Sequence, residues 1–336
     1  MELRTGTRML LRVAANVMLL FACFMGSARA ADVPPKQIAA RIELYAIQTL
    51  TLSDQQFLKG DGNGKPVTIT GQLRIAQGSG RLPVVVLQHG SGGVSSNVDV
   101  WSRELNEIGV STFVLDGFTG RGLTTVNSDQ ALLGRLNFIL DIYRALDILA
   151  RHPRVDSTRI ALMGFSRGGQ AALYASLRRF NRMWNMSGVE FAAYVPFYPD
   201  CMTTYSSDDD IVNRPIRIFA GTPDDYDPIS VCKPYVERLR KAGHDVEVTE
   251  YPNAPHAFDI PLLPRPAAVY PTYQTVRNCR IREEADGVLI NIETKRPFTY
   301  QDTCVERGPH MGYDPAAAQA ATEAVEKFLK SVFKLN

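Results

Sequence analysis

The chain is poor in several things that mark specialised proteins, and each shortage removes a class of function. It has five cysteines and no C-x-x-C spacing, which leaves no framework for a structural zinc site. It has no surplus of one charge. Thirty-seven Lys and Arg against 35 Asp and Glu leave a net +2, which argues against nucleic acid or an acidic polymer as the partner. Its N-terminal apolar run, Val13 to Gly26, is too short to cross a bilayer comfortably. It has no internal repeat and no low-complexity linker, so 336 residues read as one domain rather than two. What remains is ordinary globular composition, 45% hydrophobic and 21% charged, with enough apolar residues for a substantial core.

The first 30 residues read as a signal peptide. Arg4, Arg8 and Arg12 form a basic n-region, Val13 to Gly26 the apolar h-region, and Ala28-Arg29-Ala30 a small-x-small cleavage site. The predicted mature chain starts at Ala31, is periplasmic or secreted, and keeps no stable membrane anchor. Cys23 leaves with the signal. Cys201, Cys232, Cys279 and Cys304 remain, an even number that predicts two disulfides, with three pairings possible.

The mature chain, 31–336, alternates strands with helices. Ala39 to Leu52 and Val67 to Ile75 read as an edge strand and its hairpin partner, separated by the turn cluster Lys59 to Gly64. Pro83 to Gln88, Val110 to Leu115, Glu190 to Pro196, Ile216 to Gly221 and Asp245 to Tyr251 read as strands, the first a continuous apolar run of the kind buried on both faces. Helices are expected near Val98–Ile108, from the acidic loop to Lys241, and over a long stretch capped by Ser128 that carries Leu132, Leu136, Ile139, Tyr143 and Leu146. Residues 260–312 look like an insertion with a small hairpin around Asp286-Gly287, and Asp314-Pro315 starts a last helix with Ala321, Val325, Phe328 and Val332 on one face. This alternation predicts an α/β fold, a mostly parallel sheet covered by helices on both faces. The basic cluster Arg178, Arg179 and Arg182 reads as a solvated helix end, and Asp208 to Asp210 as a solvated loop.

The chemistry concentrates at Gly164-Phe-Ser-Arg-Gly168, a G-x-S-x-G pattern between an apolar strand and a small-residue helix. Such a turn presents Ser166 as a nucleophile over a helix N-terminus that favours developing negative charge. A serine needs a base, and the base needs an orienting acid. In this arrangement the chain order is Ser, acid, His, each partner lying in a loop after a core strand. Of five histidines, His256 follows the last core strand, with His310 in reserve; His89 and His152 precede the elbow, and His244 reads as a surface or packing residue. Asp224, Asp225 and Asp227 share the acid loop. Asp224 is nearest the strand end and is favoured over Asp225, while Asp225 and Asp227 suit turn caps. Two donors are needed for a tetrahedral oxyanion, and the amides of Arg167 and Ser91 are the candidates. Trp101, Phe118, Phe197 and Tyr198 are candidates for an apolar pocket, with core packing the competing role.

Taken together, His89-Gly-Ser-Gly-Gly93, Gly164-Phe-Ser-Arg-Gly-Gly169, Gly221-x-x-Asp224-Asp225 and Tyr251-Pro-Asn-Ala-Pro-His256-Ala-Phe258 resemble the dienelactone hydrolase group of α/β hydrolases, over roughly residues 65–334. The resemblance implies the α/β-hydrolase fold and hydrolysis of small ester or lactone substrates without metal or organic cofactor. Asp116 to Arg121 and the cysteines near 201 and 232 are similar to exported members of that group. The pairing expected here is Cys201–Cys232 and Cys279–Cys304. Two features depart from the group: dienelactone hydrolase itself has a cysteine nucleophile where this chain has Ser166, and the disulfide-closed insertion lies outside the compact core. The competing readings are a small serine peptidase or acyltransferase of the same fold, and a catalytically silent binding protein.

Overall fold

A computed structural model describes residues 35–335; the predicted signal segment 1–30, with Cys23, lies outside the described residues. In chain order the elements are β1 (Arg41–Thr51), α1 (Asp54–Lys59), β2 (Lys65–Ile75), β3 (Leu82–Gln88), α2 (Ser96–Glu107), β4 (Ser111–Asp116), α3 (Asn137–Ala150), β5 (Val155–Phe165), α4 (Arg167–Tyr174), α5 (Arg178–Trp184), β6 (Ala193–Phe197), β7 (Thr203–Thr204), β8 (Ile216–Gly221), α6 (Ile229–Lys241) and β9 (Val246–Tyr251). Seven short strands follow, β10 (Ala268–Val269), β11 (Gln274–Thr275), β12 (Ile281–Glu283), β13 (Leu289–Asn291), β14 (Arg296–Pro297), β15 (Glu306–Arg307) and β16 (His310–Met311), and then α7 (Pro315–Phe333).

Eight strands form one sheet in the order β1-β2-β4-β3-β5-β6-β8-β9. The β1–β2 and β2–β4 pairings are antiparallel and the other five parallel. The alternation along β3 explains why its sequence is apolar throughout. Val84 and Val86 face a cluster with Phe138, Ile142 and Leu146 of α3, while Val85 and Leu87 face the opposite cluster with Trp101 and Leu105 of α2 and Val325 and Leu329 of α7. The chain runs to one side of β3 for β4 and to the other for β5. Crevices open at such switch points, beyond the carboxyl ends of the strands. The loops after β3, β5, β8 and β9 all leave from that edge.

Residues 260–312 form the small strands. β10 pairs with β16 and β11 with β15, while β12, β13 and β14 extend from β7 of the main body. Ile281 and Cys279 pack with Met202 and Val276 in a small cluster of their own. Cys201 is bonded to Cys232 and Cys279 to Cys304.

Four sequence expectations need correction. Helix α3 starts at Asn137, not near Ser128, whose hydroxyl bonds Thr272 instead. Residues 128–136 are claimed by other partners: Gln130 and the Leu133 carbonyl bind Arg167, and the helix start at Leu136 is capped by the Asp54 carboxylate from α1. Arg179 is no solvated helix end, since it forks onto the buried Glu283 of β12. Asp208 is buried against Arg238 rather than solvated. On α7 the fully buried row is Ala317, Ala321, Val325, Leu329 and Phe333, with Phe328 and Val332 beside it.

Candidate active site

Ser166 sits between β5 and α4 at φ 54°, ψ −119°, a backbone conformation that costs a non-glycine residue free energy and must be held by its surroundings. The surroundings are close. A Cβ at Gly164 would overlap the Gly168 carbonyl, and one at Gly168 would overlap the Gln88 carbonyl at the end of β3. The glycines therefore let the elbow press against the neighbouring strand, and the Ser166 amide is tied to the Phe197 carbonyl at 3.0 Å.

From Ser166 an unbroken hydrogen-bond chain runs inward. Its Oγ lies 3.0 Å from His256 Nε2, and His256 Nδ1 lies 2.8 Å from Asp224 Oδ2. The side chains of His256 and Asp224 are 1% and 0% exposed, so that contact is closed to water, while Ser166 at the outer end borders the cavity. Asp224 Oδ1 also accepts from the Tyr226 and Asp227 amides, so both carboxylate oxygens are occupied and the group is fixed. An acceptor on one side of the imidazole puts the hydrogen on Nδ1 and leaves Nε2 to accept from the serine. Burial disfavours a charged His256, but its pKa lies above the ordinary value, held there first by the charge and hydrogen bond of Asp224. The rings of Tyr198 and Tyr226 pack against the imidazole with centroids at 4.7 and 4.6 Å. The arrangement can strip a proton from Ser166 and hold the resulting imidazolium.

The reserve residues find each other. His310 Nδ1 lies 2.9 Å from Asp225 Oδ2, and Asp225 also meets Arg277, at the surface and away from Ser166. Asp227 is not a turn cap. Asp224 already takes the amides that a cap would use, and the Asp227 carboxyl faces inward, its Oδ2 3.4 Å from Ser166 Oγ.

The Ser91 and Arg167 residues both border the cavity in which Ser166 lies. His89, set aside on the sequence, shapes the first of them. Its Nε2 accepts from the Gly117 amide at 3.1 Å and its Nδ1–H donates to the Gly90 carbonyl at 2.7 Å. Burial pulls its pKa down to about 4, so it stays neutral and keeps both bonds. In a planar trans peptide the N–H points opposite to the C=O, so drawing the Gly90 carbonyl onto His89 turns the Ser91 amide the other way. Among the described residues no acceptor within the fold takes either the Ser91 or the Arg167 amide.

Residues 69–285 match the model of the dienelactone hydrolase family, about two thirds of the sequence. The chain belongs to the dienelactone hydrolase family. No curated protein matches it. Solved structures with the same fold include a dienelactone hydrolase-like promiscuous phosphotriesterase from metagenomic libraries, 16% identical with a TM-score of 0.55 over 87% of this chain and 98% of that one. Others are Thermogutta terrifontis esterase 2 phosphoramylated by tabun, 14% identical, TM-score 0.52, covering 85% and 94%, and an α/β hydrolase from a Medee basin deep-sea metagenome, 15% identical, TM-score 0.50, covering 87% and 100%. At these identities they establish the α/β-hydrolase fold and no more.

In this dienelactone hydrolase-family chain the cavity at Ser166 has two unlike halves. One is lined by the polar and charged side chains of Gln130, Arg135, Arg167, Asp200, Asp227 and Tyr300. The Arg167 side chain reaches Gln130 Oε1 and the Leu133 carbonyl, and Arg135 pairs with Asp200 at 3.0 Å. The other half runs past the His89–Gly93 loop to Phe165, Tyr198, Ala257, Ile260 and Met311, and is mostly apolar. Of the four aromatic candidates, only Tyr198 borders this space; Trp101, Phe118 and Phe197 are in the core. Gln274, Thr275, Val276 and Tyr300 from the insertion close the polar half, so 260–312 borders the site.

Sequence reasoning also missed Asp259. Buried three residues after His256, it accepts from Asn97 Nδ2 at 3.0 Å, Trp101 Nε1 at 2.7 Å and Tyr198 OH at 2.6 Å. Burial raises its pKa and the three donors oppose that. The cluster fastens the histidine loop to α2 and to the end of β6. Its only sequence signal is an acid placed directly after the histidine turn.

Proposed function

We propose that the protein is an exported serine ester hydrolase that cleaves carboxylic ester or lactone bonds through an acyl-enzyme. Ser166 is the nucleophile, His256 the general base and then acid, and Asp224 the group that orients and charges the imidazole. The amides of Ser91 and Arg167 hold the oxyanion. The observation that carries this reading is the closed Ser166–His256–Asp224 hydrogen-bond chain at 3.0 and 2.8 Å. Attack by Ser166 Oγ on the carbonyl carbon passes its proton to Nε2, and collapse returns that proton to the leaving alkoxide. Water then repeats the sequence on the acyl-enzyme. Nothing in this cycle requires a metal or organic cofactor.

Residues 31–336 are one catalytic domain in this reading, with the 260–312 excursion as its substrate-selecting wall. The unlike halves of the cavity suit an ester with an apolar group on one side of the bond and a polar group on the other. Export is supported by the basic and apolar pattern of the first 30 residues and by the two disulfides. A fluorophosphonate probe tests the nucleophile: it labels Ser166 in the wild type and nothing in Ser166→Ala. Unlabelled wild-type protein, correctly folded, would sink the proposal. Rates across p-nitrophenyl esters of increasing acyl length, alongside simple lactones, then define the substrate.

A further inference from the structure

We propose that Asp227 is a fourth catalytic group, a neutral carboxylic acid that donates to the Ser166 hydroxyl and must stay protonated for the serine to react. This rests on the reading of Ser166 as nucleophile. Asp227 follows Asp224 by three residues on one turn, yet the two carboxyls lie on opposite sides of the imidazole. Asp224 meets Nδ1; Asp227 Oδ2 stands 3.4 Å from Ser166 Oγ and 4.0 Å from His256 Nε2. Asp224 accepts two amides and the imidazole, whereas among the described residues the only hydrogen bond of the Asp227 carboxyl is the one to Ser166.

Asp227 is 5% exposed. A buried carboxylate with one serine hydroxyl as its only hydrogen-bond partner among the described residues is costly, and such a group stays neutral instead. The charged groups around it are His256 from the histidine loop, Asp224 on its own turn, Asp200 after β6 and Arg135 before α3. Asp200 is spent on Arg135 and the Met202 amide. Burial, then the two other aspartates, push the Asp227 pKa well up against the pull of His256 and Arg135.

Protonation decides what the serine faces. With the acid neutral, its O–H donates to Oγ, and the serine's own hydrogen turns to Nε2. Attack then forms the Oγ–C bond, moves the carbonyl pair onto oxygen, and passes the serine proton to Nε2, while Asp227 keeps its own. With the acid ionised, Asp227 becomes a second acceptor for the serine hydroxyl and draws it from His256. It also sets a negative charge beside the one forming on the substrate.

The pH dependence of kcat/KM should therefore be bell-shaped, rising as His256 loses its proton and falling as Asp227 loses its own. Asp227→Asn, neutral at every pH and able to donate from Nδ2, should lower the optimum by about tenfold and lose the falling limb. Asp227→Thr, another neutral donor, is a second variant with the same expectation for that limb. In the wild type alone, the rate of fluorophosphonate labelling should show the same bell. A wild-type labelling rate that only rises to a plateau would overturn the proposal. So would a falling limb that persists in folded Asp227→Asn, or a variant whose rising limb alone moves. Labelling at Ser166 and the inactivity of Ser166→Ala test the nucleophile separately.

Discussion

Asp224 and Asp225 are adjacent in sequence, and each binds a histidine at nearly the same distance, 2.8 Å to His256 and 2.9 Å to His310. What separates the pairs is their surroundings. The Asp224 and His256 side chains are 0% and 1% exposed, and the far nitrogen of the ring meets a serine hydroxyl. The Asp225 and His310 side chains are 37% and 50% exposed, and their other neighbour is Arg277. In water a hydrogen-bonded ion pair contributes little, because solvent competes for both partners. Closed from water, the same pair can hold an imidazole in one orientation and stabilise its charge. An acid–histidine contact becomes chemistry only with burial and a third partner.

The sharpest way to break this contrast is to remove each histidine in turn. His256→Ala should lower kcat/KM for a p-nitrophenyl ester by on the order of 10⁴ to 10⁶, close to the loss for Ser166→Ala. Asp224→Asn should cost somewhat less, on the order of 10³ to 10⁴, since it leaves the base in place with the wrong hydrogen pattern. The supports differ too. Replacing Cys201 and Cys232 by serine frees α6 from the end of β6 beside the buried pair, and should cost about 3 kcal/mol of stability in the chain-entropy model. Melting temperature and turnover should fall together. Replacing Cys279 and Cys304 loosens the insertion that carries His310, and should change the ranking of ester substrates more than the rate on the smallest one. A subtler measure is the rising limb of the pH profile. Because the active imidazole is neutral and its pKa is raised, activity should be lost on acidification at a pH above the ordinary histidine value of 6.5. At the bottom of the scale, His310→Ala and Asp225→Asn should stay within about tenfold of wild type, roughly 1.4 kcal/mol in barrier. A larger loss there would place the exposed pair in the reaction.

Much of this was legible in the sequence because it follows from local pattern. Val84 to Leu87 read as a buried strand since both faces of the sheet are covered, and the elbow glycines read as a turn since no side chain fits there. The contact of Asp224 with His256 was legible from its distance to the strand end. Asp227 was not: three aspartates in four residues look alike until one of them takes the turn's amides and leaves another facing inward. The start of α3 misled for a related reason. Leu132 keeps the helical spacing, but the backbone around it is taken by Arg167, Gln274 and Asp54, all distant in sequence. The His89 role was invisible because it acts through a carbonyl, and peptide orientation leaves no mark on residue identity.

If Ser166 is the nucleophile proposed above, its strained backbone also governs when in the life of the molecule that nucleophile exists. Its conformation is imposed by the end of β3 pressing on Gly168 and by the Phe197 carbonyl of β6 holding its amide. His256 and Asp224 arrive only with the loops after β9 and β8, as many as 90 residues further along the chain. No fragment ending before those strands carries a reactive serine, and a chain still unfolded holds an ordinary alcohol at position 166. The hydrolase is thus its own safety catch. On the proposed mechanism, reactivity switches on with closure of the central sheet, and a nascent chain cannot attack esters it passes on the way.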